Sequence, residues 1–170
     1  MAVNDFKIHN PNGPLISADW IVALGTANSI HAGEPTIKGE ATGTSTGAVK
    51  IPVDGDPLTT STHQFSGIAK SESTDTVAAA GAVTTWMPLP GIIYRGKAKT
   101  AGSANTAALM AALKDKRVVF DLTSTTWSVD AAATDANTNP VVIVGGDYRT
   151  TDVYFLVVDQ GTFKAVIAGS

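Results

Sequence analysis

From residue 48 onward the chain is cut into short apolar or β-branched runs by closely spaced glycine, proline, aspartate and threonine turns. Ala48-Val49-Lys50-Ile51-Pro52-Val53 alternates and stops at Asp54-Gly55-Asp56-Pro57. Residues 64–69 form the next run, and residues 82–89 follow. Pro88 and Pro90 confine the end of that run to a sheet edge, because proline has no N–H to donate to a second neighbour. Residues 92–99 read as another strand. Residues 117–122 and 126–129 then suit a hairpin around Thr123-Ser124-Thr125. Val141-Val142-Ile143-Val144 is closed by a Gly145-Gly146-Asp147 turn, residues 152–158 follow, and residues 162–167 form a last strand. Strand-length segments divided this regularly by turn signals predict a mainly β chain, a single barrel or sandwich.

One segment breaks the pattern. Residues 104–115 predict a short α-helix, with Ser103 or Asn105 able to accept orphan N–H groups of its first turn. Leu109, Ala112 and Leu113 fall on one face with Met110 beside them, and Lys114 and Lys116 sit at the carbonyl end of the helix dipole. So short a helix depends on packing against a sheet rather than on intrinsic propensity.

The N-terminal side reads differently. Asn10-Pro11-Asn12-Gly13-Pro14 excludes helix and interrupts a ladder, so residues 1–18 are expected to be an extended arm and residues 19–170 the β-rich domain. Within that domain, residues 19–25 form the first strand and the long loop 26–47 contains a short strand at 36–40. No internal repeat of fixed period is present.

Composition narrows the classes. Charged residues make up 16% of the chain, against roughly 25% in an average soluble domain, so threonine, serine, alanine and glycine must cover much of the surface. With 44% apolar residues and a net charge of −3 the chain lies far from the disordered regime. It has no cysteine, which removes disulfides, thiol nucleophiles and thiolate metal sites. No apolar run approaches the roughly 18–20 residues of a membrane-spanning helix, and the first seven residues lack the pattern of a secretory signal, so no membrane partner is expected. Twelve Lys and Arg against fifteen Asp and Glu argue against direct nucleic-acid binding, which needs cations to displace counterions.

Residues suited to chemistry are scattered. His9, His31 and His63 show no metal-ligand spacing, and each reads as a surface side chain. Asp54-Gly55-Asp56 resembles the start of a calcium loop without its downstream glycine and glutamate, and reads as a tight turn. Gly145-Gly146-Asp147 lacks the helix whose N-terminus would cradle a phosphate, and Ser66-Gly67 lies in a strand rather than at a nucleophile elbow. Trp20, Trp86 and Trp127 read as core residues or single interface anchors. No catalytic, cofactor-binding or metal-binding residue is nominated, and the chain is expected not to be an enzyme.

Five segments taken together resemble a family. Gly55-Asp56-Pro57-Leu58, Phe65-Ser66-Gly67-Ile68-Ala69, Thr74-Asp75-Thr76, Ala80-Gly81-Ala82-Val83 and Pro90-Gly91-Ile92-Ile93 follow the order found in the small β-barrel of tailed-phage head decoration, or cement, proteins. The resemblance covers residues 48–122 and extends to the strand, short helix and further strands of residues 94–122. It implies a structural virion protein, made in the host cytoplasm, that binds the major capsid protein shell from outside and stabilises it, as a homo-oligomer and preferentially a trimer. It implies no active site. The candidate interface comprises Phe6, Ile8, Pro11, Pro14 and Leu15 of the arm, together with Trp86 and Tyr94. Two other readings stay open: another virion subunit, such as a tail tube or the base of a head fibre, and a carbohydrate-binding or adhesive β-sandwich stacking sugars on Trp86, Tyr94, Trp127 and Tyr148.

Overall fold

A computed structural model of the chain describes residues 6–11, 14–22, 30–38, 48–54, 65–74, 81–89, 91–136 and 139–158. Its elements begin with β1 (Lys7–Pro11), β2 (Ser17–Val22), β3 (Pro35–Lys38), β4 (Ala48–Lys50), β5 (Phe65–Ala69) and β6 (Ala82–Trp86). After β7 (Ile92–Lys97) come a single 3₁₀ turn (Ala101–Ser103) and α1 (Ala107–Leu113). The chain then forms β8 (Arg117–Val118), β9 (Phe120–Thr123), β10 (Thr126–Val129), β11 (Val141–Asp147) and β12 (Asp152–Val157). The chain is mainly β with one α-helix among the described residues, as the turn spacing predicts.

Two sheets and a hairpin result. Strands β2-β4-β3-β5-β6 close into a five-stranded barrel, in which only β2 and β4 run parallel. Strands β1-β7-β12-β11-β8 form an antiparallel sheet, and β9 and β10 form a separate hairpin. The closed barrel is therefore built within residues 17–86 rather than 48–122, and β11 and β12 extend the second sheet rather than the barrel.

Small and branched side chains fill the barrel: Val22, Ile30, Val49, Ala69 and Val83, flanked by Trp20 and Ile51. A second, larger core lies between the barrel wall and the open sheet. The barrel contributes Ile37, Phe65 and Ile68 to it, the sheet Ile92, Tyr94, Val141, Ile143, Val153 and Phe155. This explains why all five residues of β5 are buried, since one face of the strand looks into the barrel and the other against the sheet.

That double burial requires polar groups in the wall to be paired, because an unpaired one costs about 1–3 kcal/mol. Ser66 Oγ donates to Thr36 Oγ1 at 2.8 Å, and Thr36 Oγ1 donates to the Gly67 carbonyl at 2.9 Å. Trp20 Nε1 donates to Thr85 Oγ1 at 2.8 Å, and Thr85 in turn donates to the Ser66 carbonyl at 3.3 Å. Gly67 lies where β5 passes closest to β6; its φ is +138°, and a Cβ there would collide with the Trp86 carbonyl.

Within the expected arm, residues 7–11 form a strand of the open sheet. β1 pairs with β7 in the register Lys7↔Arg95, Ile8↔Tyr94 and Pro11↔Ile92. Phe6 and Ile8, two residues apart, reach the large core from the same side of the strand, which is what period-two geometry dictates. Pro11 is tolerated because β1 is an edge strand.

Other boundaries shift. The first strand of the domain is already formed at Ser17 and is described as Ser17–Val22, the loop strand as Pro35–Lys38; the expected ends at residues 23–25 and 39–40 lie outside the described residues. The helix spans Ala107–Leu113, and its N-cap is Thr106, whose Oγ1 accepts from Leu109 N at 3.2 Å, rather than Ser103 or Asn105. Met110 and Leu113 are its buried residues, while Leu109 is exposed. Gly145 and Gly146 continue β11 across a register shift, so the turn falls at residues 148–151 instead. A Cβ at Gly146 would collide with the Asp152 carbonyl across the strand pair and with Met110 of α1, which packs on β11. The expected strand at 162–167, the turn residues Gly55-Asp56-Pro57 and His63 lie outside the described residues.

The contrast between two glycines tests the barrel. Gly67→Ala is expected to destabilise the chain by more than about 3 kcal/mol, since backbone rather than a movable side chain blocks the new methyl. Gly102→Ala, with open space around it, should change stability by less than about 0.5 kcal/mol. Urea denaturation followed by tryptophan fluorescence measures both.

Candidate functional site

The seven candidate interface residues separate into three groups. Phe6 is only 2% exposed and Tyr94 only 1%, so both belong to this chain's own core rather than to a surface open to a neighbour. The Phe6 ring lies 4.9 Å from Phe120 and 5.3 Å from Phe155, the latter edge-on. Tyr94 donates its hydroxyl to the Met87 carbonyl at 3.3 Å, and burial pushes its ionisation well above the ordinary tyrosine range. Ile8 packs half-buried against the same core. Pro11 lies in β1.

The remaining candidates reach solvent. Pro14 and Leu15 are exposed in the lead-in to β2, and Trp86 is half-buried at the end of β6. Two apolar residues that the sequence analysis did not nominate join them: Ile16, and Ile21 at 63% exposure. Ile21 occupies the outward phase of β2 with Ser17 and Asp19, while Ala18, Trp20 and Val22 turn inward. That alternation was the available signal; an isoleucine on the polar phase of a strand is out of place for a solvent-facing wall. Val53, after β4, is also largely exposed.

The tryptophans differ from one another. Trp127 is fully buried, and its Nε1 has no hydrogen-bond partner among the described residues. Trp20 and Trp86 are half-buried, each under a lysine ammonium: Lys38 Nζ is 5.0 Å from the Trp20 ring centre and Lys70 Nζ 4.6 Å from that of Trp86. With Trp127 and Tyr94 inside the core, the four-aromatic platform considered for stacking sugars does not form.

Two charge clusters stand out among the described residues. Lys99 Nζ lies 2.5 Å from Asp121 and 3.5 Å from Asp130, and Thr123 Oγ1 donates to Asp121 at 2.7 Å. The hydrogen bond to Asp121 is the main cause that raises the Lys99 pKa. On the outer face of the open sheet, Asp152 meets Lys97 at 2.7 Å and Arg95 at 3.9 Å. Burial alone would raise the Asp152 pKa; hydrogen bonds from Lys97 and Thr150 and the charges of Lys97 and Arg95 outweigh it, so the carboxyl is held below its usual range.

His9 stacks on Tyr154 at 3.7 Å between ring centres, and His31 Nδ1 lies 3.8 Å from Glu72. Asp54 accepts from the Leu122 amide at 2.9 Å. Among the described residues no three His, Asp or Glu side chains come together as a metal site, and no helix is long and apolar enough to cross a membrane. Compared with models of protein families, with curated proteins and with solved structures, the chain matches none.

Because the Asp152 carboxyl is held below its unfolded value, its stabilisation is present above the ordinary carboxylate pKa of about 4 and is lost as the pH falls through the folded value. The wild-type chain should therefore be more stable than Asp152→Asn at neutral pH, and the gap should close in acid. Urea midpoints measured at neutral pH and near pH 3 check this; a gap of equal size at both would contradict it.

Proposed function

We propose that this chain is a non-enzymatic structural protein of a tailed-phage particle, a decoration subunit that binds the outer surface of the major capsid protein shell and stabilises it. The observation that carries the reading is a run of exposed aliphatic side chains: Leu15 and Ile16 in the lead-in to β2, and Ile21 on the strand's outward side. Scattered exposed leucines are ordinary, but three exposed large aliphatic side chains within seven residues, one of them on a strand whose other outward residues are polar, suit a surface that is covered in use.

Two further points support it. The ordered motifs from Gly55 to Ile93 resemble those of head decoration proteins, and a closed barrel of short strands is an architecture compatible with them. A surface with little charge also suits repeated shallow contacts, since each charge buried at an interface must be paired or desolvated at a cost. Assembly as a homo-oligomer, a trimer foremost, belongs to the same proposal.

The test is to add purified protein to shells that lack it and to heat the particles. Binding in a fixed copy number and shell disruption at a higher temperature are expected. Ile21→Asp should abolish both while the isolated protein keeps its unfolding midpoint, because the side chain contributes little to its own core. Absence of binding and of any thermal gain would overturn the reading.

A further inference from the structure

The turn between β11 and β12, residues 148–151, is braced from two sides. Within the hairpin, Asp147 Oδ1 accepts the Arg149 amide at 2.9 Å, and the Asp147 carbonyl accepts the Thr150 amide at 3.3 Å. From the neighbouring strand β7, Lys97 Nζ donates to the Thr150 carbonyl at 2.7 Å, and the amide of Ala98 donates to the Thr151 carbonyl at 3.0 Å. Thr151 has a φ of +58°, a conformation that a β-branched residue keeps only where its surroundings hold it. The tip is therefore fixed by the sheet rather than free to adapt.

It carries two side chains with nothing of their own to bind. Tyr148 is 37% exposed and Arg149 is exposed, with the guanidinium 5.6 Å from the tyrosine ring centre. A cation over a ring face keeps the two together. The acids of this end of the sheet are engaged elsewhere: Asp152 pairs with Lys97 and Arg95, and the Asp147 carboxylate takes the Arg149 amide. Among the described residues Arg149 enters no ion pair and the Tyr148 hydroxyl makes no hydrogen bond. Tyrosine and arginine are among the side chains that most often carry interface energy, because each joins a flat contact area to directional donors. Holding them in place beforehand reduces the ordering cost of association.

We propose that this tip is an anchor on the capsid shell: the Tyr148 ring seats in an apolar recess of a shell subunit, and Arg149 forks onto a carboxylate at its rim. The paired N–H groups of a guanidinium match the two oxygens of a carboxylate, so the contact selects an acid at one point rather than a generally acidic surface. This rests on the decoration reading and adds to it the contact residues and the chemistry required of the shell.

The experiment is titration of the full chain onto purified shells that lack it, read as the concentration that half-fills them. Arg149→Glu and Tyr148→Ala should each weaken binding by about tenfold or more. Arg149→Glu should keep the wild-type unfolding midpoint, because the side chain it replaces is exposed. Arg149→Lys should restore only part of the loss, since an ammonium cannot fork onto a carboxylate. Tyr148→Phe should bind as the wild type does, and so should Lys114→Glu, which lies at the end of α1. Wild-type chain that fills the shells, with Arg149→Glu and Tyr148→Ala filling them equally well, would overturn the anchor and leave the decoration reading standing. Wild-type chain that does not bind shells would overturn both. A photo-reactive benzophenone side chain placed at position 148 should link to a shell subunit; links to other copies of this chain alone would also overturn the anchor.

Discussion

The structure depends on a line of rings that ties three separately paired units together. Phe65 from the barrel wall lies 6.1 Å from Phe120 of the β9–β10 hairpin, and Phe120 lies 5.6 Å from Phe155 of the open sheet. Phe6 joins both of the latter, so the residue preceding the first strand closes the cluster. Gly96 makes room for it, since a Cβ on β7 at that point would strike the Phe6 ring. Edge-on and tilted ring pairs of this kind add about 0.5–1.5 kcal/mol each beyond the area they bury. Without the cluster, contact between the barrel and the open sheet would rest on aliphatic residues such as Ile37 and Ile68 on one side and Ile92, Val141 and Ile143 on the other.

The scarcity of charge follows from the same arrangement. A strand buried on both faces, as β5 is, leaves no room for ionised groups, and its polar needs are met by the hydroxyls of Thr36, Ser66 and Thr85 with the Trp20 indole. Threonine suits this twice over, because its β-branch fits a pleated wall and its hydroxyl serves a neighbouring carbonyl. The charges that remain work at the periphery, where Lys99 ties the start of the loop after β7 to Asp121 and Asp130, and Asp152 ties β12 to β7. A composition that looks chemically quiet is, in structural terms, what two cores sharing one wall require.

Much of the strand content was legible because alternation and turn residues are local. Phe65–Ala69, Ile92–Lys97 and the β9–β10 hairpin fall where the turn residues and apolar runs place them, and Ser124 takes the positive φ that a tight turn needs. What failed depended on distant partners. Two prolines and a glycine made residues 1–18 look like an arm, yet Phe6 and Ile8 are placed by β7, more than eighty residues away in sequence. The helix was legible, but its buried face was not: in a seven-residue helix Met110–Leu113 and Leu109–Leu113 are equally good spacings, and β11 selects the first. Gly145-Gly146 reads as a turn in isolation and as a strand once β12 pairs with it, a pairing that leaves no room for a Cβ at Gly146. Of the candidate interface, Leu15 and Pro14 were legible as exposed residues beside proline; Tyr94 and Phe6 were not, because only the tertiary fold shows that their rings are enclosed.

The central claim is that β1 and its Phe6 anchor are part of one cooperative core rather than an attachment to it. Native-state hydrogen exchange tests this most directly, by comparing the opening free energies of the protected amides in β1, β5 and β12. All three strands are predicted to open together, at the free energy of global unfolding measured in denaturant. Amides of β1 that exchange by a much cheaper local opening, while β5 and β12 stay protected to the global limit, would contradict it.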